Sequence, residues 1–305
     1  MRPFERVLSA LTAALALTLA AQETVFRVDV RLVRILATVK NAAGDLAGSL
    51  PKEAFTILDN GVEQTISVFE KQTGQPLSVA LLMDTSASTG KDLKYEVESA
   101  SHFLKALFGA GNSKDTAALY SFNYEVVRRN YFTHNHGPLD QSLRALKSEA
   151  GTSLYDAIFL AAEDLQNRDG RHVIVAVTDG GDTTSVKDFH AALDAAQLAN
   201  AVIYPILVVP ITNAAGRNVG GENALTTLAR GTGGRVFTPS AGSALDAAFA
   251  EILRDLRTQY LLGYYTANLP PSKNRFHKLE VRVDRPDLRV SARNGYYESS
   301  TPREK

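Results

Sequence analysis

The chain has 305 residues, 45% of them hydrophobic and 22% charged, which suits one large domain with a smaller companion. Lys plus Arg equal Asp plus Glu at 33 each, so the charge balance carries neither a nucleic-acid footprint nor a polybasic membrane patch. Cysteine is absent, which excludes a lipoprotein anchor and any disulfide brace.

Residues 1–21 read as a secretory signal peptide. Arg2 and Arg6 form a positive start, Leu8 to Leu19 is apolar, and the small residues Ala20 and Ala21 follow, with cleavage after either one. The competing reading is a buried N-terminal helix. No later apolar run reaches the roughly 18 residues a membrane span needs, since Ala201 to Ile211 is interrupted by Pro205 and Pro210. The pattern predicts a secreted or periplasmic product.

Residues 22–75 read as strands. Val25 to Val39 alternates, with a phase slip near Leu32–Val33 that predicts a bulge. Phe55 to Leu58 runs into Asp59-Asn60-Gly61, a hairpin signal, and Gln64 to Phe69 is the expected return strand. So few strands bury no stable core unaided.

Residues 76–258 alternate between strand and helix, as a doubly wound sheet requires. Apolar runs at Leu77–Met83 and Val173–Thr178 read as buried central strands, with further strands at 116–122, 126–132, 202–209 and 235–238. Helical spacing covers 95–108, 139–146, 154–165, 188–199, 223–230 and 243–256. From residue 259 to 298 strands return, at 260–265, 278–283 and 288–292, and 299–305 read as a frayed tail. The predicted fold class is therefore α/β: a doubly wound, Rossmann-like domain inserted in a small β-sandwich. The N-terminal and C-terminal strands supply that sandwich between them.

The chemistry sits at turns. The first apolar strand ends in Asp84-x-Ser86-x-Ser88, the helix from Leu154 opens on Gly151-Thr152-Ser153, and the run at Val173–Thr178 ends in Asp179-Gly180-Gly181. Any one of these is an ordinary turn or helix cap. Three of them, each at a strand end or helix start, offer oxygen donors where open α/β sheets bind ligands. Carboxylates and hydroxyls suit a hard divalent cation.

The pattern resembles a von Willebrand factor A domain with a complete metal-ion-dependent adhesion site. The family's Asp-x-Ser-x-Ser, distant Thr and distant Asp fall on Asp84, Ser86, Ser88, Thr152 and Asp179. Leu-Leu-Met-Asp-Thr-Ser, Gly-Thr-Ser-Leu-Tyr-Asp-Ala and Val-Thr-Asp-Gly match around them. The resemblance covers about residues 76–258, with Ala87 and Ala150 standing where glycine is common. The whole chain resembles a bacterial group of secreted proteins related to this family. That resemblance implies Mg²⁺, or alternatively Mn²⁺ or Ca²⁺, as the cofactor. It also implies a protein partner presenting an Asp or Glu carboxylate, with no enzymatic activity. In related domains site occupancy shifts the final helix, here Ser243–Leu256.

Two other readings compete. A cation on such a sheet also serves phosphoryl transfer, but that chemistry needs a nucleophile or base at the metal. The positions after Asp84 are hydroxyls, and Lys91 is more simply a solvated helix-start residue. The metal of a purely structural module would only tie loops together. His134-x-His136 lacks a third ligand and reads as a polar loop. Gly231-Thr-Gly-Gly-Arg235 lacks the Gly-Lys-Ser/Thr ending of a phosphate loop and reads as a helix C-cap. Asp156, in the first turn of its helix, suits the helix dipole and lies near Thr152.

Overall fold

In the computed structural model the described residues are 32–71, 74–90, 92–109, 111–208, 218–240, 243–269 and 275–297. The signal peptide, the strand start at Val25, Lys91 and the tail lie outside them.

The chain enters on β1 (Leu32–Asn41), then forms β2 (Phe55–Asp59), β3 (Val62–Gln64) and β4 (Ile66–Glu70). Asn60 and Gly61 both take positive φ, 49° and 82°, the pair of left-handed residues that a tight two-residue hairpin demands. The return strand is not continuous. Val62–Gln64 pairs with β2, whereas Ile66–Glu70 pairs with a later strand of the opposite sheet. The break falls between Gln64 and Ile66, where both side chains are buried although the residue between them is exposed.

The α/β unit follows. It runs β5 (Leu77–Asp84), α1 (Leu93–Gly109), β6 (Thr116–Phe122), β7 (Val126–Thr133), α2 (His136–Arg144), α3 (Leu154–Gln166) and β8 (Arg171–Thr178). It closes with α4 (Phe189–Leu198), β9 (Ala201–Leu207), α5 (Val219–Thr232) and α6 (Ser243–Thr258). The sheet order is β7-β6-β5-β8-β9. Every neighbouring pair is parallel except β6–β7. All eight residues of β5 and all eight of β8 are buried, as expected of strands covered by helices on both faces. One face carries α1, α2 and α6, with Phe103 stacked on Phe249 at 4.8 Å between ring centres. The other carries α3, α4 and α5.

The strand expected at 235–238 reduces to a single bridge between Ile206 and Phe237. Leu207 donates to the Phe237 carbonyl and Phe237 donates to the Pro205 carbonyl. The next rung would need an N–H on Pro205, which proline lacks. That proline is tolerated because β9 is the sheet's edge strand.

The chain then returns through β10 (Tyr260–Tyr265), β11 (Phe276–Val283), β12 (Leu288–Ala292) and β13 (Gly295–Tyr297). Two four-stranded sheets result, β12-β1-β10-β4 and β13-β11-β2-β3, each mixing strands from before and after the α/β unit. The irregularity found among the described residues of the first sheet is at Gly263/Tyr264, opposite β4. Register along the described part of β1 is continuous past Leu32–Val33, where the sequence predicts a bulge. Between the sheets lies an apolar core built around Ile35, Ile57, Tyr260, Leu262, Tyr264 and Leu279. A buried polar knot crosses it: Asp59 accepts from Tyr264 at 2.6 Å and Tyr296 at 2.9 Å, with His277 at 2.9 Å. The network gives a fully buried carboxylate the partners it requires.

Candidate metal centre

The C-terminal edge of the sheet is assembled from three turns. At the end of β5 the Asp84 carboxylate is fully buried. One of its oxygens accepts the Ser86 N–H at 2.8 Å and the other the Thr178 hydroxyl at 2.6 Å. Burial pushes its pKa up to about 6, against the pull of those two bonds, and the nearby Asp179 adds to the rise. Thr89 closes the turn, its hydroxyl donating to the carbonyls of Asp84 at 3.1 Å and Ser86 at 3.0 Å. This leaves the Ser86 and Ser88 hydroxyls facing each other at 3.0 Å. Ser86 is buried and Ser88 exposed, so the pair runs from the interior to the surface.

The second turn needs glycine at 151. Its φ is +84°, and a Cβ there would stand 2.9 Å from the Tyr124 Cα, a clash for any L side chain. Thr152 follows, its N–H given to the Thr183 hydroxyl at 3.1 Å and its carbonyl accepting from Thr183 and Thr184. The third turn brings Asp179, whose Oδ1 accepts the Gly181 N–H at 3.1 Å. A Cβ built on Gly181 would lie 3.3 Å from Asp179 Oδ1 and 4.0 Å from Thr152 Oγ1. Thr152 and Asp179 therefore flank the same small space, and the bare glycine leaves it open.

The five residues read from the sequence thus fall into two groups, Asp84-Ser86-Ser88 and Thr152-Asp179, at one sheet edge. Asp179 stands close enough for Asp84 to feel its charge. Asp156 has a different part. Its carboxylate accepts the N–H groups of Val186 at 2.9 Å and Lys187 at 2.7 Å, clamping the loop after Asp179 onto the start of α3. His136 hydrogen-bonds Ser101 at 3.3 Å and so sits in a helix–helix contact. Gly233 has φ 90° and caps α5 in the left-handed conformation, as the sequence predicts.

Two residues at the site escape the sequence reading. Thr178, immediately before Asp179, supplies the hydroxyl that fixes Asp84. Glu96, in the first turn of α1, is 1% exposed, and neither of its carboxylate oxygens has a hydrogen-bond partner. Burial, then the charges of Asp84, Asp92 and Asp179, push its pKa up to about 8. Its sequence signal is its place in the inward stripe Glu96, Ala100, Phe103 and Leu107, where a hydrophobe is the ordinary choice.

The donor set is oxygen only, two carboxylates and three hydroxyls, which suits Mg²⁺ or Ca²⁺ better than a softer ion. The buried Glu96 carboxyl has no hydrogen-bond partner of its own and feels the charges of Asp84 and Asp179, so a nearby cation would offset its cost. The residues present fit a hard divalent cation.

Residues 79–181 match the von Willebrand factor type A domain, a stretch that runs from β5 to the Asp179 turn. No curated protein matches the chain. Among solved structures, the vWF domain of the type V pili tip protein Mfa5 from Porphyromonas gingivalis is 17% identical, with a TM-score of 0.49, covering 59% of this chain and 94% of that one. The conserved hypothetical protein BatB from Bacteroides thetaiotaomicron is 18% identical, with a TM-score of 0.47, covering 60% of this chain and 100% of that one. The PilB minor pilin from Streptococcus sanguinis is 13% identical, with a TM-score of 0.47, covering 61% and 62%. The stretch from the central strand to the turn that presents Asp179 is therefore similar to a von Willebrand factor type A domain.

Proposed function

We propose that the chain is an exported, metal-dependent protein-binding module. In this reading Asp84, Ser86, Ser88, Thr152 and Asp179 hold Mg²⁺, or alternatively Mn²⁺ or Ca²⁺. When bound, the ion supplies a coordination position for a hard anionic oxygen, the carboxylate of an Asp or Glu on a partner protein. The observation that carries the reading is the convergence of the two oxygen-bearing groups at one sheet edge, with Gly181 leaving the space between Thr152 and Asp179 open.

The side chains do the positioning. Thr178 and the Ser86 N–H fix Asp84 inside the fold, so the outer end of the site is formed by the exposed Ser88 hydroxyl and the half-buried Asp179 carboxylate. A partner carboxylate would approach from the Ser88 side, where the exposed ligand is a neutral hydroxyl. Exposed apolar side chains occur on the segments at this edge. Tyr95, Tyr124, Val186 and Val219, four of the seven large hydrophobics exposed among the described residues, each lie in a segment that follows the C-terminal end of a sheet strand. Exposed apolar side chains on the same edge as a polar centre suit a protein-binding surface.

The alternative of phosphoryl transfer asks Asp84 to act as a nucleophile. Both of its oxygens are occupied and it is fully buried, and the next hydroxyl, on Thr85, donates to the Phe122 carbonyl at 3.1 Å. These features favour binding over catalysis.

The experiment uses Mn²⁺ as a paramagnetic reporter. Mn²⁺ should bind to the protein and raise the water-proton relaxation rate. Adding acetate, or a peptide with one Glu, should then lower that rate as a carboxylate replaces coordinated water. Asp84→Ala should remove the Mn²⁺ response. A response that survives this substitution would place the ion elsewhere, and a bound ion indifferent to carboxylates would leave it a structural role.

A further inference from the structure

Glu96 is the feature that the five-residue site does not explain. A glutamate 1% exposed, with both oxygens unpartnered, is among the costliest side chains a fold can carry. Its neighbours on the inward stripe of α1 are Ala100, Phe103 and Leu107, so a leucine or methionine at 96 would pack without that cost. Nothing in the helix needs the carboxyl. The Glu96 N–H is bonded to the Asp92 carbonyl at 3.1 Å in the ordinary way, and among the described residues no cap or ion pair uses the side chain.

Its placement gives a reason. The helix α1 follows β5 by a tight turn and packs back along the sheet, with its stripe in the same core as Val79, Leu81 and Met83. The first member of that stripe therefore lies level with the end of β5, where Asp84 stands. The charges of Asp84 and Asp179, one from each half of the site, both reach Glu96. Among the described residues no hydrogen bond or ion pair joins a cationic side chain to Asp84, Asp179 or Glu96, and the three do not close into a ligand cluster of their own, so Glu96 acts on the site at longer range, through its charge.

We propose that Glu96 is a further residue of the cation site: a buried carboxyl on the helix that follows the Asp84 turn, which supplies negative charge toward the bound divalent ion and so sets its affinity. This rests on the metal-binding reading above. It alters that reading in one respect. Two carboxylates and three hydroxyls only balance a divalent charge, whereas Glu96 strengthens the hold on the ion without occupying its exposed face. It acts as a positioning and electrostatic residue rather than as a ligand to the partner.

The test is titration of the full chain with Mn²⁺ and Mg²⁺ by calorimetry, comparing wild type, Glu96→Gln, Asp92→Asn and Asp84→Ala. Glu96→Gln keeps the shape and removes the charge, so it should fold. In EDTA near pH 8 it should melt at a higher temperature than wild type, because the cost of burying the Glu96 carboxyl is gone. Its Mn²⁺ and Mg²⁺ affinities should fall at least tenfold. Asp92→Asn, a neighbouring acid at the more open end of the helix, should change affinity less than threefold. A merely structural Glu96 would change the melting temperature and leave the affinities equal to wild type, which overturns the proposal. Equal losses for Asp92→Asn and Glu96→Gln would reduce the effect to general surface charge and overturn it too. If wild type binds neither ion, the five-ligand reading itself fails, an outcome distinct from intact wild-type binding with an unaffected Glu96→Gln.

Discussion

Without metal, the protein should lose stability as the pH rises from about 5 to 8, and Glu96 should be the main cause. In the unfolded chain its carboxyl loses its proton near 4.5, whereas in the fold it holds the proton to about 8. Below 4.5 both states are protonated and Glu96 contributes no difference. Between 4.5 and 8 the native state binds a proton that the unfolded state has released, so each step up in pH favours unfolding. Above 8 the loss is complete. At about 1.4 kcal/mol per pH unit, that window amounts to roughly 4–5 kcal/mol, a large share of the roughly 5–15 kcal/mol typical of a domain. Asp84 acts in the same sense at lower pH, from 3.8 to about 6. The two acids sense each other, so their effects are not additive. Urea unfolding in EDTA at pH 5, 6.5 and 8, on wild type and Glu96→Gln, isolates the effect, because contributions from the six histidines are common to both. The difference between the two proteins should grow toward pH 8 and shrink when Mg²⁺ replaces EDTA. Parallel pH profiles for wild type and Glu96→Gln would refute the reasoning.

Thr178→Val removes the 2.6 Å bond to a fully buried carboxylate and should cost about 1–3 kcal/mol, while weakening Mg²⁺ binding; urea denaturation and calorimetry read the two effects. Asp156→Ala frees the amides of Val186 and Lys187, so hydrogen exchange of both should accelerate by an order of magnitude or more while the core strand β8 keeps its protection. Lys40→Ala together with Arg235→Ala leaves Asp255, 1% exposed, without either of its ion-pair partners, and should cost about 3–5 kcal/mol, measured by urea unfolding; a cost below about 1 kcal/mol would mean the pairs are solvent-screened.

Legibility in the sequence followed what each signal depends on. The buried strands β5 and β8 are readable because an unbroken apolar run that stops at an acid-bearing turn fits a covered central strand and little else. The turns that carry Asp84, Ser86, Ser88, Thr152 and Asp179 are readable because each follows such a strand or precedes a helix, and the structure brings those turns to one sheet edge. Glu96 is not. Helical periodicity scores the run around it correctly and says nothing about a single acid on the inward stripe; only its burial without a partner exposes it. Thr178 is hidden in the same way, as one more β-branched residue completing a strand. The split of the expected return strand into β3 and β4 depends on which sheet each half joins, a long-range choice that local pattern does not carry. Asp59 illustrates the overlap of signals: it reads as part of a hairpin turn, which Asn60 and Gly61 do form, yet its carboxylate is the buried anchor for Tyr264 and Tyr296.

The manner in which the sandwich grips α6 bears on the helix shift that family resemblance implies. At the C-terminal half of this helix, Asp255 is paired with Lys40 of β1 at 2.8 Å and with Arg235 at 2.9 Å, and Arg235 also binds Glu251. Arg257 reaches back to Asp115. Just beyond, the fully buried Gln259 donates to Thr38 of β1 at 3.2 Å, while its carbonyl oxygen accepts from Arg171 of β8 at 3.2 Å. Arg171 also donates to the Leu256 carbonyl at 2.5 Å, closing the last turn. Sliding the helix by one turn, about 5.4 Å, would break all of these at once and leave Asp255 and Arg171 buried without partners, a cost of several kcal/mol. One acidic contact at the far edge of the sheet supplies too little differential binding energy to offset that cost. The pinned end of α6 therefore favours a rigid presentation of the site. A shift of this helix must either break these bonds or carry β1, Arg235, Asp115 and the start of β8 with it, because α6 is tied to the sandwich and to the α/β sheet alike.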